Sequence, residues 1–274
     1  MKNTFCLTRD NYAFVSHHIG EMDNWETYQD YQKTIIQYES LFRINPQVIA
    51  HDLHPDYAST QFALKRAANE NLPRYPIQHH HAHLAACMIE NNLPAEKLVA
   101  GIIFDGTGYG EDGTIWGGEI LLGNCLEFTR EYHLKPVPLP GGDISIIKPA
   151  RMALSTLWVY DLPWENDLPP VRALTDLEKR VLKTQLERKT NSPLTSSMGR
   201  LFDAVSALIG IRQKVTYEAQ AAIEMEALAD KDILGYYPWQ MDGNLIDVKT
   251  TLEAILSDLS NGVPESIIAA RFHN

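Results

Sequence analysis

The chain has 274 residues, 45% of them hydrophobic and 22% charged, which suits a globular protein with one large domain or two modest lobes. A formal net charge of −11 argues against a nucleic-acid partner gripped through a broad basic face. No apolar run approaches the roughly 20 residues that cross a bilayer, the start lacks a signal-peptide core, and Cys6, Cys87 and Cys125 form no CxxC, so a membrane span and a disulfide framework are excluded and a reducing cytoplasm is expected.

Residues 4–8 and 13–16 read as two short strands joined by the turn Arg9-Asp10-Asn11. Trp25, Tyr28, Tyr31, Ile35, Tyr38 and Phe42 then recur at helical spacing, with Asn24 placed to cap the helix. PQVIA at 46–50 predicts a strand, and Ser59 is positioned to cap a helix through Leu64 and Ala68. A short strand near 75–77 leads into the histidine-rich string QHHHAHL at 78–84. This alternation of strand and helix is that of an α/β domain. Residues 99–104 form an apolar strand, 115–122 its hairpin partner, and GTGYGEDGT between them a Gly- and Asp-rich turn.

Beyond Leu139-Pro140-Gly141-Gly142-Asp143 the pattern becomes mostly helical, which divides the chain into an α/β lobe, 1–140, and a helical lobe, 141–274. Helices are expected at 149–161, after the capping box of Thr175 and Glu178, and at 192–211, 220–229, 252–259 and 264–272, with a strand near 245–248. The three cysteines sit among apolar neighbours and read as buried packing, and Tyr12, Trp116 and Trp239 as core or hinge aromatics. The first strand begins almost at Met1 and the chain ends inside an amphipathic helical pattern, which predicts a piece of something longer.

His79 and His83 are one helical turn apart on one face, near enough to share a metal ion, and Asp105 ends an apolar strand beside glycines. Two histidines and an aspartate suit a first-row divalent ion such as iron or zinc, with positions left open for substrate. His80 and His81 show that histidine is locally abundant, so HxxxH alone is weak, and FDGTGYG alone is only a tight turn. In this order the two together point to an enzyme site. His51 and His54 form HxxH, but Pro55 and Asp56 follow at once, which predicts a loop with hydrogen-bonding histidines.

The start at residues 1–7 (MKNTFCL), AHDLHPDY at 50–57, QHHHAHLA at 78–85, FDGTGYGEDGTIWGGE at 104–119, LPGGD at 139–143, NSPLTSSMGRLFDAVSALIG at 191–210 and TYEAQAAIEMEALA at 216–229 resemble the HypF carbamoyltransferases of NiFe-hydrogenase maturation, in their TsaD-like carbamoyl-transfer domain. The resemblance spans essentially the whole chain. It implies a two-lobed α/β fold of the actin-like/sugar-kinase ATPase class, TsaD-like and here incomplete, with its active site in the interlobe cleft. It further implies that ATP and carbamoyl phosphate yield a carbamoyl-adenylate in a YrdC-like domain. The TsaD-like domain then passes the carbamoyl group to the C-terminal cysteine of a HypE-like partner. The YrdC-like and zinc-finger domains normally lie on the same chain.

By the same resemblance, His79, His83 and Asp105 are metal ligands, and Asp105 and Arg151 are catalytic. Gly106, Thr107 and Gly108 offer backbone N–H groups and a hydroxyl to a phosphate. Asp203, in GRLFDA, is assigned to the ribose hydroxyls, and Gln220 and Glu224, one turn apart, to the nucleotide pocket. Without the resemblance, Asp203 and Glu224 read as a solvated helix face. Asp143 and Arg151 are placed to contact carbamoyl or phosphate, or Arg151 to pair with a neighbouring carboxylate.

Three departures from the family pattern stand out. Ala219 replaces the glycine of YEGQAA, and Ile147-Lys148-Pro149-Ala150 replaces an REPW-like string. A glycine-rich phosphate loop before the first strand and a later Ser-Gly-Gly segment with a further aspartate are expected but absent. The competing readings are a non-catalytic fragment or docking module and an O-carbamoyltransferase acting on a small-molecule hydroxyl. The acidic charge disfavours a tRNA-modifying relative.

Overall fold

The structure, a computed structural model, describes residues 3–22 and 24–274; Met1 and Lys2 of the family-like start lie outside them. Tertiary contacts divide the chain into two compact units, Met1–His79 and His80–Asn274.

The first unit opens with β1 (Cys6–Arg9) and β2 (Tyr12–Val15), an antiparallel hairpin with Cys6 opposite Val15 and Arg9 opposite Tyr12. Asp10 turns the chain at φ 54°, a left-handed conformation that Asp tolerates better than most residues. Helix α1 (Trp25–Phe42) follows, and the Asn24 side chain accepts a hydrogen bond from Glu26 N, as its sequence position predicts. β3 (Ile49–Asp52) and β4 (Arg74–Ile77) pair in parallel across α2 (Ala58–Glu70). Ser59 does not cap α2: the helix starts one residue earlier, with Tyr57 at the cap position and no side-chain cap bond. Upstream, Asp52 Oδ1 and His54 Nδ1 already accept from the amides of His54 and Asp56 and set the chain's entry. The core packs Met22, Tyr31 and Ile35 against Phe5 and Phe62, with Phe5 and Phe62 edge-on to Tyr31. Arg66 joins α2 to α1 through Glu39 at 2.6 Å.

Helix α3 (His79–Glu90) takes its first residue from the first unit and the rest from the second. The second unit continues with β5 (Val99–Tyr109), β6 (Ile115–Gly123), β7 (Phe128–Leu134), β8 (Val137–Pro138), α4 (Asp143–Ile147), α5 (Pro149–Val159), α6 (Pro169–Ala173) and α7 (Asp176–Arg188). After them come β9 (Leu194–Thr195), α8 (Met198–Leu208), α9 (Gln220–Leu228), β10 (Gln240–Asp242), β11 (Leu245–Asp247), α10 (Lys249–Ser260) and α11 (Glu265–His273). The sheet order is β10-β11-β7-β6-β9-β8, with β5 antiparallel on β6. Because β11 pairs with β7 and β9 with β6, segments on both sides of residue 140 share one sheet. Contacts divide the chain at His79–His80, whereas residue 140 marks the change to a mainly helical pattern within the second unit.

Two clusters hold the second unit together. Met152, Ala153, Leu154 and Leu157 of α5 meet Ala204, Val205, Ala207 and Leu208 of α8, all fully buried. Truncating such a leucine to alanine costs about 2–5 kcal/mol. Leu84 and Met88 of α3 pack on Ile103, Trp116 and Leu121 of β5 and β6. A Cβ at Gly101 would come within 2.6 Å of Leu84 Cδ1, so this glycine lets α3 lie close on β5.

The capping box at Thr175 and Glu178 is present. Residues 192–211 are not one helix. Leu194 and Thr195 extend to pair with β8 and β6, and Ser197 then caps α8 by accepting from Arg200 N. Cys6 and Cys87 are exposed, against expectation, whereas the half-buried Cys125 packs against the Leu84–Ile103–Trp116 cluster. Trp116 is buried, whereas Tyr12 and Trp239 face solvent.

Ala219 occupies the left-handed region, φ 60° and ψ 11°, at the cap of α9, a conformation that favours the glycine of the family pattern. Ala219→Gly is expected to stabilise the chain by about 1 kcal/mol, through relief of Cβ strain. Urea denaturation checks it, and a lower midpoint in the glycine variant would contradict the strain argument.

Candidate active site

α3 begins at His79, so His79 and His83 stand one turn apart on the same helix. His79 Nδ1 lies 2.7 Å from Asp52 Oδ2 at the end of β3. A carboxylate only accepts, so His79 donates there and any metal ligation falls to Nε2. Burial raises the Asp52 pKa. Hydrogen bonds from His79 and the His54 amide, with the charge of both imidazoles, outweigh it and hold the carboxyl below the usual carboxylate range.

Within the second unit, His83 Nε2 is 3.9 Å from Asp105 Oδ2. One ligand atom each from His79, His83 and Asp105 lies within 4.8 Å of the others. Metal–ligand bonds of about 2.1 Å put two ligands of one ion at most ~4.2 Å apart, so small side-chain rotations reach ligation. The N, N, O donor set fits a divalent first-row ion.

Gly106, Thr107 and Gly108 do not form a turn. They continue β5, whose register against β6 shifts between Phe104 and Gly108, making a bulge at the Asp105 position. The turn lies further on, where Gly110 and Gly113 bond and Asp112 Oδ1 accepts from the Thr114 amide and hydroxyl. Gly106 N–H donates to its neighbour's Asp105 Oδ1 at 2.6 Å. The bulge is pressed against α8: the Ser197 hydroxyl lies 2.7 Å from Asp105 O and 2.9 Å from Gly106 O.

Asp203 is not on a solvated face. It is buried, 2.9 Å from the guanidinium of Arg200, which is itself buried and lies beside Gly106. Burial pushes the Asp203 carboxyl up to about 6, against the opposing pull of Arg200. Glu224 forms a two-point ion pair with Arg212 and accepts from Gln220 Nε2 at 2.9 Å. Gln220 Oε1 in turn accepts from Thr216 N. Arg151 is buried and donates to Pro140 O and to Gln185 Oε1, pairing with no carboxylate in these bonds. His51 and His54 both make hydrogen bonds, as expected, but only His54 lies in a loop; His51 belongs to β3.

The histidine string is not a surface tract, since His80 is fully buried and His81 Nε2 bonds Asn124 O. Asp52, Glu119, Ser197 and Arg200 were missed from sequence. Each acts through a partner distant in the chain or one turn on, and only the family-like strings around them gave a signal.

Residues 1–90 match the HypF Kae1-like domain, and residues 101–274 match "Carbamoyltransferase, Kae1-like Domain, second subdomain". The chain belongs to the HypF carbamoyltransferase family. It is 37% identical to carbamoyltransferase HypF of Synechocystis sp., over 100% of this chain and 37% of that protein. It is 44% identical to HypF of Rhodobacter capsulatus, over 84% of this chain and 31% of the relative. A HypF homolog of Cupriavidus necator is 36% identical, over 100% of this chain and 71% of its own length. A crystal structure of full-length HypF in a phosphate- and nucleotide-bound form superposes with a TM-score of 0.90 at 44% identity, covering 100% of this chain and 35% of that one. T. kodakarensis HypF gives 0.84 at 29% identity, over 99% and 37%. The fold is therefore the α/β, TsaD-like fold of HypF, and the chain spans about a third of the length of most of these relatives.

Asp52→Asn is expected to weaken divalent-metal affinity by roughly 10–100-fold, the usual effect of losing a carboxylate behind a ligating histidine. Titration calorimetry checks it, and unchanged affinity would remove Asp52 from the site. Because the folded Asp203 pKa is raised, its contribution to stability is present at low pH and is lost as pH rises to about 6. The slope is at most about 1.4 kcal/mol per pH unit. Denaturation midpoints of Asp203→Asn should lack that component between about pH 4 and 6.

Proposed function

We propose that this chain performs carbamoyl transfer in NiFe-hydrogenase maturation. The carbamoyl group comes from a carbamoyl-adenylate, made from carbamoyl phosphate and ATP by a YrdC-like domain. The acceptor is the C-terminal cysteine of a HypE-like protein, in the cytoplasm. The observation that carries this reading is the convergence of His79, His83 and Asp105 in a chain whose whole length matches HypF.

In this reading His79 Nε2, His83 and Asp105 would hold a divalent iron or zinc ion. When bound, that ion neutralises phosphate charge and orients the nucleotide. Asp52 fixes the tautomer and ring plane of His79. The Arg200 guanidinium adds positive charge beside the Gly106 bulge, where Gly106, Thr107 and Gly108 would meet the phosphate. Asp203 serves the ribose, Gln220 and Glu224 shape the nucleotide pocket, and Arg151 holds the 140s segment in place. The acceptor thiolate attacks the carbamoyl carbon, forming a C–S bond as the bond to the adenylate oxygen breaks and AMP leaves.

A second reading, a docking module without catalysis, draws support from the chain's span of about a third of most relatives' length. The purified chain is expected to bind one divalent ion and ATP, with both lost in a His79→Ala/His83→Ala double variant. Supplied with carbamoyl-adenylate, it should carbamoylate a HypE-like C-terminal thiol and not a small-molecule hydroxyl. A folded chain that binds neither metal nor nucleotide would leave the docking reading standing, and hydroxyl transfer would indicate an O-carbamoyltransferase.

A further inference from the structure

We infer that Glu119 is a positioning residue that, through Ser197 and Gly117, sets where the Asp105 carboxylate stands; this rests on the metal-site reading above. The Glu119 side chain is 0% exposed, and a buried carboxylate is costly unless its lone pairs are all engaged. They are. Oε2 accepts from the amides of Gly117 and Gly118, each at 2.6 Å. Oε1 accepts from the Ser196 hydroxyl at 2.5 Å and from Arg130 Nη2 at 2.8 Å. Arg130 in turn lies on the Trp116 ring at 3.9 Å and reaches Asp112 at 3.1 Å, which fixes the guanidinium against Glu119.

Both segments that Glu119 grips press on Asp105. Next to Ser196, the Ser197 hydroxyl meets Asp105 O and Gly106 O and accepts from Arg200 N. On the other side, a Cβ at Gly117 would stand 2.4 Å from Asp105 O, so this backbone is in direct contact with the bulge. An apolar side chain in place of Glu119 would fill the space but fix neither the two amides nor the serine. The buried charge is thus explained by placement of a neighbouring backbone. His80, fully buried, lies between the two carboxylates, with Nδ1 3.9 Å from Glu119 and Nε2 3.5 Å from Asp105, and closes the same frame.

The test compares Glu119→Gln, Ser197→Ala and Ser197→Thr in the 274-residue chain. Glutamine keeps the shape but turns two acceptor sites into donors facing donors. The expected result is at least about tenfold weaker Co(II) binding and an altered Co(II) visible spectrum for Glu119→Gln and Ser197→Ala. Ser197→Thr, which keeps the hydroxyl, should restore both. In the metal-free chain, amide exchange across residues 104–108 should speed up in the first two variants and stay unchanged in the α5–α8 core. Wild-type affinity, spectrum and exchange in both variants would overturn the inference. Should the parent chain bind no Co(II), the metal-site reading fails by itself, and exchange at 104–108 alone decides whether the clamp exists.

Discussion

Three stretches of backbone meet at the Asp105–Gly106 bulge with almost nothing between them, and the site depends on that approach. A Cβ at Gly199 would come within 2.9 Å of Gly106 Cα, and one at Gly117 within 2.4 Å of Asp105 O. Glycine at these positions is the absence of a wedge. It lets the start of α8 and the body of β6 close on β5, so that one serine hydroxyl can bridge two carbonyls of the bulge. A bulge in a strand normally frees backbone groups to solvent. Here its carbonyls are held, and the side chain it re-aims is the carboxylate of the candidate metal group.

The polar groups around this point are mostly buried, and their arrangement follows the cost of burying charge. Glu119 faces Arg130 and Asp203 faces Arg200, each carboxylate with a cationic partner within 3 Å. Glu119 is fully satisfied, whereas Asp203 has one guanidinium and little else, which is why burial prevails over Arg200 in its titration. The two buried acids of the second unit thus differ in character: Glu119 has both oxygens engaged by four donors, whereas burial pushes the Asp203 carboxyl up to about 6.

The neighbouring histidines show how one string serves several purposes. His79 is tied to Asp52, His80 is enclosed between Glu119 and Asp105, His81 bonds the Asn124 carbonyl beyond β6, and His83 is more exposed and approaches Asp105. A helix distributes consecutive side chains about 100° apart, so four nearby imidazoles meet different surroundings. His79 and His83, at i and i+4, share a face and converge with Asp105, while His80, three residues before His83, stacks on its ring and lies 3.5 Å from the same carboxylate.

Local rules determined a good part of this protein. The β1–β2 hairpin, the Asn24 cap, the capping box at Thr175, the i, i+4 histidine pair and the apolar strand that starts at Val99 all follow from side-chain periodicity and capping chemistry, which act within a few residues. The family resemblance, carried by long strings of residues, likewise lay in the sequence. Tertiary structure decided the rest. It made FDGTGYG a bulged strand, because β6 pairs on both sides of the bulge, at Phe104 and again at Gly108 and Tyr109; it kept residues on both sides of position 140 in one sheet, because β9 and β11 return to β6 and β7. It also buried Asp203 and gave Asp52, Glu119 and Ser197 their work. These outcomes rest on distant partners, 92 residues apart in the case of Ser197 and Asp105, and no local pattern encodes which distant backbone will supply a donor or withhold a Cβ.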